Sequence, residues 1–258
     1  MHKTIIRTCD GIDLSATIVE SKTEGRHWCV LAHGITADKE EEGAFERLAM
    51  DLSQSGVNSI RFDFRGHGQS SGSTEGMTIA GEMLDLEAVI RFVEAKKPAA
   101  LLLVAASFGA VSASLLSAFL DRRVRAVVYW NPVLDLEWTF LKPTLPWGVK
   151  NFGADKVARV YSDGYFTIDG SFKAGHVFWA ELRMQRPMDA LLKSGFPLLI
   201  VHGDKDSYVP YEASKSAAEL RPKTSLITID NADHGFSLAD DEERARVSTV
   251  DFLKRFID

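Results

Sequence analysis

Three short stretches of this sequence carry side chains able to do nucleophilic chemistry together. An unbroken apolar run, residues 101–106, ends at Ser107, and small residues follow at once through Ala113. That pattern reads as strand, sharp turn and helix with the hydroxyl standing proud of the turn, the recurring form being G-x-S-x-G. Ala105 stands at the first glycine position and Gly109 at the second. Taken alone, the stretch reads equally as a helix start with Ser107 as N-cap. A serine hydroxyl is a weak nucleophile near neutral pH and needs a base within hydrogen-bond reach, itself oriented by a third group. Two later stretches supply these types: His202-Gly203-Asp204-Lys205-Asp206 and Asn231-Ala232-Asp233-His234-Gly235-Phe236. Both Asp204 and Asp206 are candidates for the carboxylate, and His234 by itself could be an ordinary strand-end histidine.

The elements around these stretches decide whether they can meet. Residues 3–8 and 12–20 alternate apolar and polar around Asp10-Gly11, which predicts a hairpin. A strand over 27–32 stops at His33-Gly34, a helix is predicted over 40–55, and a strand over 57–64 leads into a Gly/Ser-rich loop, 65–76. A helix over 78–97, the strand and helix flanking Ser107, and a strand over 124–130 follow. The rhythm breaks between Pro132 and Pro197, where aromatics crowd and residues 166–172 read as a small hairpin. It resumes with strands over 197–202 and 225–229 and helices over 211–220 and 240–257. Such alternation implies a mostly parallel eight-stranded sheet with helices on both faces. The three chemical stretches then fall beyond the carboxyl ends of strands, where functional loops gather. One domain, 1–258, with a cap inserted after strand six at about 133–190, is the expected organisation.

Composition narrows the function classes. Of 258 residues 45% are hydrophobic and 26% charged, which suits a globular chain with an ample core. A formal net charge of −6 argues against nucleic acid as the main partner. No apolar stretch suits a signal segment or a membrane span, so a cytoplasmic location and no membrane partner are expected. Cys9 and Cys29 read as buried free thiols far from any metal-ligand spacing. Glu40-Glu41-Glu42 reads as a solvated turn favoured by a helix dipole rather than a metal site.

With these motifs in order, the sequence resembles the α/β-hydrolases over nearly its whole length. The resemblance rests on His33-Gly34, Asp63-Phe64-Arg65-Gly66-His67-Gly68-Gln69-Ser70, the turn at Ser107, His202-Gly203-Asp204-Lys205-Asp206 and Asp233-His234-Gly235-Phe236. Within that family it is most similar to capped bacterial cinnamoyl/feruloyl-esterase-like and serine aminopeptidase-like hydrolases. The resemblance implies the α/β-hydrolase fold, with Ser107 as nucleophile, His234 as general base and then acid, and Asp206 as the orienting carboxylate. It makes His33 and His67 loop supports. The residue after the nucleophile donates one oxyanion-hole N–H, which is Phe108, and by the His-Gly match the second is that of Ile35. Ala105, and Ala106 where the family commonly has histidine, depart from its pattern.

The implied activity is cleavage of carboxylic esters through an acyl-enzyme, with aromatic or short-to-medium apolar acyl groups and neither cofactor nor metal. Thioester or amide cleavage with the same three residues is the alternative, and a non-catalytic ligand-binding module on the same fold is a third reading. The cap segment is too short to bury all its rings in a core of its own, so Trp138, Phe140, Trp147, Phe178 and Trp179 are candidate contacts for a small ester substrate. Lys142, Lys150, Lys156 and Lys173 could clamp an anion, and Arg65 could reach a carboxylate or serve a structural ion pair. The final helix, with Phe252, Leu253 and Phe256, is either buried or part of a homodimer surface.

Overall fold

In the computed structural model, which describes residues 1–23 and 25–257, the Asp10-Gly11 turn joins two antiparallel strands, β1 (His2–Arg7) and β2 (Asp13–Val19). Six further strands complete the main sheet: β3 (His27–Ala32), β4 (Val57–Phe62), β5 (Ala100–Ala106), β6 (Ala126–Trp130), β9 (Leu198–Gly203) and β10 (Thr224–Ile229). Between β6 and β9 lies a separate hairpin of β7 (Tyr165–Ile168) and β8 (Phe172–Gly175). The sheet order is β1-β2-β4-β3-β5-β6-β9-β10. Pairing is antiparallel from β1 through β2 to β4 and parallel from β4 onward.

The central strands are apolar throughout because both faces of the sheet are covered, and their two-residue period divides one run between two cores. In β5, Leu101, Leu103 and Ala105 face one core while Leu102, Val104 and Ala106 face the other. The helices Ile79–Glu94, Gly109–Leu115 and Tyr211–Leu220 close the first face. The second is closed by Ala44–Gln54, through Phe45, Leu48, Ala49 and Leu52 at helical spacing, and by Ala239–Leu253. Phe252 and Leu253 are buried in that second core and Phe256 packs against it.

The turn after β5 is tight for a visible reason. Ser107 adopts φ +47°, and a Cβ on Gly109 would lie 2.5 Å from the His33 carbonyl oxygen and 2.7 Å from that of Ala32. Ala105 is tolerated because its register partner on β3 is another small residue, Ala32. Gly109→Ala is therefore expected to destabilise the protein by about 3 kcal/mol, read as a lower denaturant midpoint. An unchanged midpoint would show that the β3 loop yields freely.

The cap forms a third apolar core. Phe140, Phe152, Phe166, Phe172, Phe178 and Trp179 pack over Met77, Ile79, Phe108 and Val111 of the main body. As expected from its length, the segment does not build this core alone: the body supplies the floor, and Phe140 and Trp147 also line the cleft beside Ser107. The cap is also pinned by polar contacts: the Glu181 carboxylate accepts the Ile79 N–H at 2.5 Å.

Other boundaries shift. The helix expected from residue 40 begins at Ala44, since Glu41 (φ +46°), Glu42 (φ +54°) and Gly43 (φ +88°) run left-handed. Cys9 is exposed and lies past the end of β1, where Thr8 accepts the Gly11 N–H in a turn; Cys29 is buried in β3. Among the described residues no helix is long and apolar enough to cross a membrane.

Candidate active site

Loops at the carboxyl ends of β5, β9 and β10 bring three side chains into one line. Ser107 Oγ lies 3.1 Å from His234 Nε2, and His234 Nδ1 lies 2.7 Å from Asp206 Oδ2. Asp204 is used elsewhere, its carboxylate accepting the Asn231 N–H at 2.6 Å. Asp206 is held from both sides: Oδ1 accepts the N–H groups of Tyr208 and Val209, each at 2.8 Å, while Oδ2 also contacts His202 Nε2 at 3.1 Å. Asp233 ties the two loops together by accepting the Ser207 and His234 N–H groups, each at 2.7 Å.

These contacts set the charges. Burial alone would raise the Asp206 pKa, but the His234 charge and hydrogen bonds from both histidines hold it well below the ordinary carboxylate range. Burial opposes the charged form of His234, yet Asp206 outweighs it and raises the imidazole above its usual 6.5. His202 is fully buried between Asp206 and the Ser214 hydroxyl, 2.7 Å from Nδ1. The Asp206 carboxylate can only accept, so His202 Nε2–H donates to it and the Ser214 hydroxyl meets the other ring nitrogen.

The loop after β3 crosses close above Ser107, for a Cβ on Gly34 would fall 2.9 Å from Ser107 Cβ. His33 Nε2 accepts the Phe64 N–H at 3.0 Å, which leaves Nδ1–H to donate to the Gly34 carbonyl at 2.7 Å. Burial and the neighbouring His67 pull the His33 pKa well down, in keeping with a neutral support. Glu41 accepts the Gly34 N–H at 2.9 Å. With the Gly34 amide and carbonyl both engaged, the N–H groups of Ile35 and Phe108 are left without an acceptor among the described residues.

A cleft of about 270 Å³ opens beside Ser107 and His234, walled by Ile35, Glu41, Val133, Phe140, Trp147 and Tyr208. Of the five aromatic candidates it therefore includes Phe140 and Trp147. The other three are placed away from it: Trp138 is 48% exposed on the outer surface of the cap, Phe178 is buried against Phe108, and Trp179 packs on Phe166. Arg65 is committed to Asp85 and Asp10, each at 2.8 Å, and cannot greet a substrate. Lys142 and Lys150 pair with Glu137 and Asp169 on the cap, and Lys173 with Glu75.

Sequence alone does not single out Glu41 or Tyr208. The sequence reads Glu41 as solvated like its neighbours, but its carboxyl turns into the cleft wall, where burial pushes its pKa up to about 7. Tyr208 had one available signal, its place two residues after Asp206 on the same loop.

A family model described as the alpha/beta hydrolase family matches residues 29–247. Among curated proteins no sequence matches the chain. Among solved structures the chain is similar to Est1E from Butyrivibrio proteoclasticus, solved with ferulic acid bound, at 25% identity and a TM-score of 0.84, covering 98% of this chain and 99% of that one. The esterase domain of a Rhodothermus marinus protein matches at 22% identity and a TM-score of 0.73, covering 100% and 99%. Mouse alpha/beta hydrolase domain-containing protein 10 matches at 18% and 0.78, covering 99% of each chain. The last two are likenesses of fold.

Proposed function

The chain belongs to the alpha/beta hydrolase family, and from that premise we propose that it is a serine hydrolase cleaving carboxylic esters with aromatic or short-to-medium apolar acyl groups. The observation that carries the reading is the unbroken contact from Ser107 Oγ through His234 to Asp206 at the edge of a cleft. The likeness to a structure with ferulic acid bound and the apolar walls at Val133, Phe140 and Trp147 support the acyl class.

In this reading His234 Nε2 takes the Ser107 hydroxyl proton as Oγ attacks the ester carbonyl. The Ile35 and Phe108 N–H groups receive the charge that develops on the carbonyl oxygen. Collapse of the tetrahedral intermediate breaks the ester C–O bond, and His234 returns its proton to the leaving alcohol. Water then attacks the acyl-enzyme, giving its proton to His234, and collapse releases the acid while the proton returns to Ser107. Asp206 fixes the tautomer that leaves Nε2 free to accept and stabilises the imidazolium between steps.

The test uses matched p-nitrophenyl esters, thioesters and anilides with a fluorophosphonate probe. Expected are burst kinetics on the esters and covalent labelling at Ser107. Because His234 must be neutral to act and its pKa is raised, the acid limb of kcat/KM should lie above the ordinary imidazole value near 6.5. Fast thioester or anilide turnover beside negligible ester turnover would replace the ester assignment, and an unlabelled folded protein would leave a binding module.

A further inference from the structure

A hydrogen bond at one corner of an imidazole fixes where that corner sits, but leaves the ring free to tilt about the bond. In this protein the tilt of His234 is met by another ring. Tyr208 stacks on it with centroids 4.7 Å apart and planes within 7°. Trp147, on the cap helix Pro146–Phe152, stacks on Tyr208 at 5.0 Å and 11°. The row of near-parallel rings thus runs from the cap to the imidazole.

Each end of the row is anchored. The Tyr208 N–H donates to Asp206 at 2.8 Å, so the residue that covers the imidazole face also holds the carboxylate bonded to its Nδ1. Trp147 donates its backbone N–H to the Ser207 carbonyl at 3.3 Å, and its Nε1–H to Asp169 at 2.9 Å. Asp169 is in turn bonded to Asn151 through both its carboxylate, at 3.1 Å, and its N–H, at 2.9 Å. The cap helix cannot shift without moving the indole that backs Tyr208.

Resting on the serine-hydrolase reading above, we propose that Tyr208 is a positioning residue for the His234 imidazole and that Trp147 makes its alignment depend on the seating of the cap. The phenol face holds the ring in the plane that aims Nε2 at Ser107, and its quadrupole favours the imidazolium formed at each proton transfer. The titratable groups around His234 are Asp206, Glu41 and Asp233, each of which favours the imidazolium when ionised, Glu41 itself being raised to about 7. Tyr208 itself stays a neutral phenol, since burial and the nearby carboxylates raise its pKa.

Tyr208→Leu refills the space without a π face, and Tyr208→Phe keeps the ring without the hydroxyl. With a p-nitrophenyl ester, Tyr208→Leu is expected to lower kcat by about ten- to a hundredfold with little change in KM. It should also move the acid limb of kcat/KM down by about half a pH unit. Tyr208→Phe should restore the limb and most of kcat. Trp147→Phe, which keeps a smaller ring on the cap, should shift the limb in the same direction as Tyr208→Leu but less, whereas loss of a substrate contact alone would raise KM and leave the limb in place. Thermal melts establish that each variant is folded. A folded Tyr208→Leu with wild-type kcat and limb, or a Tyr208→Phe as impaired as Tyr208→Leu, overturns the proposal while Ser107 still labels. Wild-type protein that neither turns over ester nor labels at Ser107 overturns the hydrolase reading with it.

Discussion

Ser107→Ala is expected to lose about 10⁴- to 10⁶-fold in ester turnover and all labelling by a fluorophosphonate, with little loss of stability. In the proposed mechanism this removes the nucleophile and nothing replaces it, since water in the cleft has neither its position nor its shared contact with His234. Stability should hold because the side chain does little structurally. Among the described residues its oxygen hydrogen-bonds only to His234, while the turn is kept by backbone bonds: Ser107 N–H to the Trp130 carbonyl at 2.8 Å, and Val133 N–H to the Ser107 carbonyl at 3.0 Å. Holding a residue with a side chain at φ +47° costs of order 1–2 kcal/mol, but alanine and serine bear that cost alike. Steady-state kinetics and a melt of the same preparation check both halves. Turnover above one per cent of wild type in a verified Ser107→Ala sample would remove Ser107 from the chemistry.

Much of this arrangement is legible before any coordinates, and the reason is local. The elbow, the His202 to Asp206 loop and the Asp233 to Phe236 loop each follow an apolar run at a strand end. A parallel sheet places all such ends on one rim, so residues 127 and 28 positions apart meet without being paired by any pattern of their own. The hairpin at Asp10-Gly11 is visible for the same reason, as turn chemistry between two alternating runs.

What sequence does not show is which of two apolar surfaces a ring faces. Phe140 and Phe178 look alike as letters in an aromatic-rich segment, yet Phe140 reaches the cleft while Phe178 fills the floor of the cap against Phe108. Both surfaces are apolar, so hydrophobic patterning cannot separate them. Glu41 escapes for a backbone reason. Three consecutive glutamates carry the same propensity, and only the left-handed run from Glu41 through Gly43 turns the first of that run inward to Gly34 while Glu42 stays exposed. The stacking of Trp147, Tyr208 and His234 joins three elements whose mutual angles no local signal encodes.

Asp206→Asn should be nearly as damaging as loss of the nucleophile, about 10⁴-fold in kcat, because of how many donors converge on this carboxylate. Oδ1 accepts two backbone N–H groups, and Oδ2 meets both His202 and His234. An asparagine has one oxygen and one NH₂. The two backbone donors claim the oxygen, which turns the NH₂ toward the imidazoles and forces His234 to present Nδ1 as an acceptor. Its proton then sits on Nε2, facing Ser107 Oγ, and the ring can no longer take the hydroxyl proton. The stability consequence has a definite sign. A carboxylate held below its unfolded pKa of about 3.9 stabilises the fold above that pH, and this contribution fades as pH falls toward the depressed native value. The wild type should therefore exceed Asp206→Asn in denaturant midpoint at pH 7 by more than it does at pH 3. A gap that stays constant or widens on acidification would mean that the histidines do not hold Asp206 as the ionised partner, and the tautomer argument would fall with it.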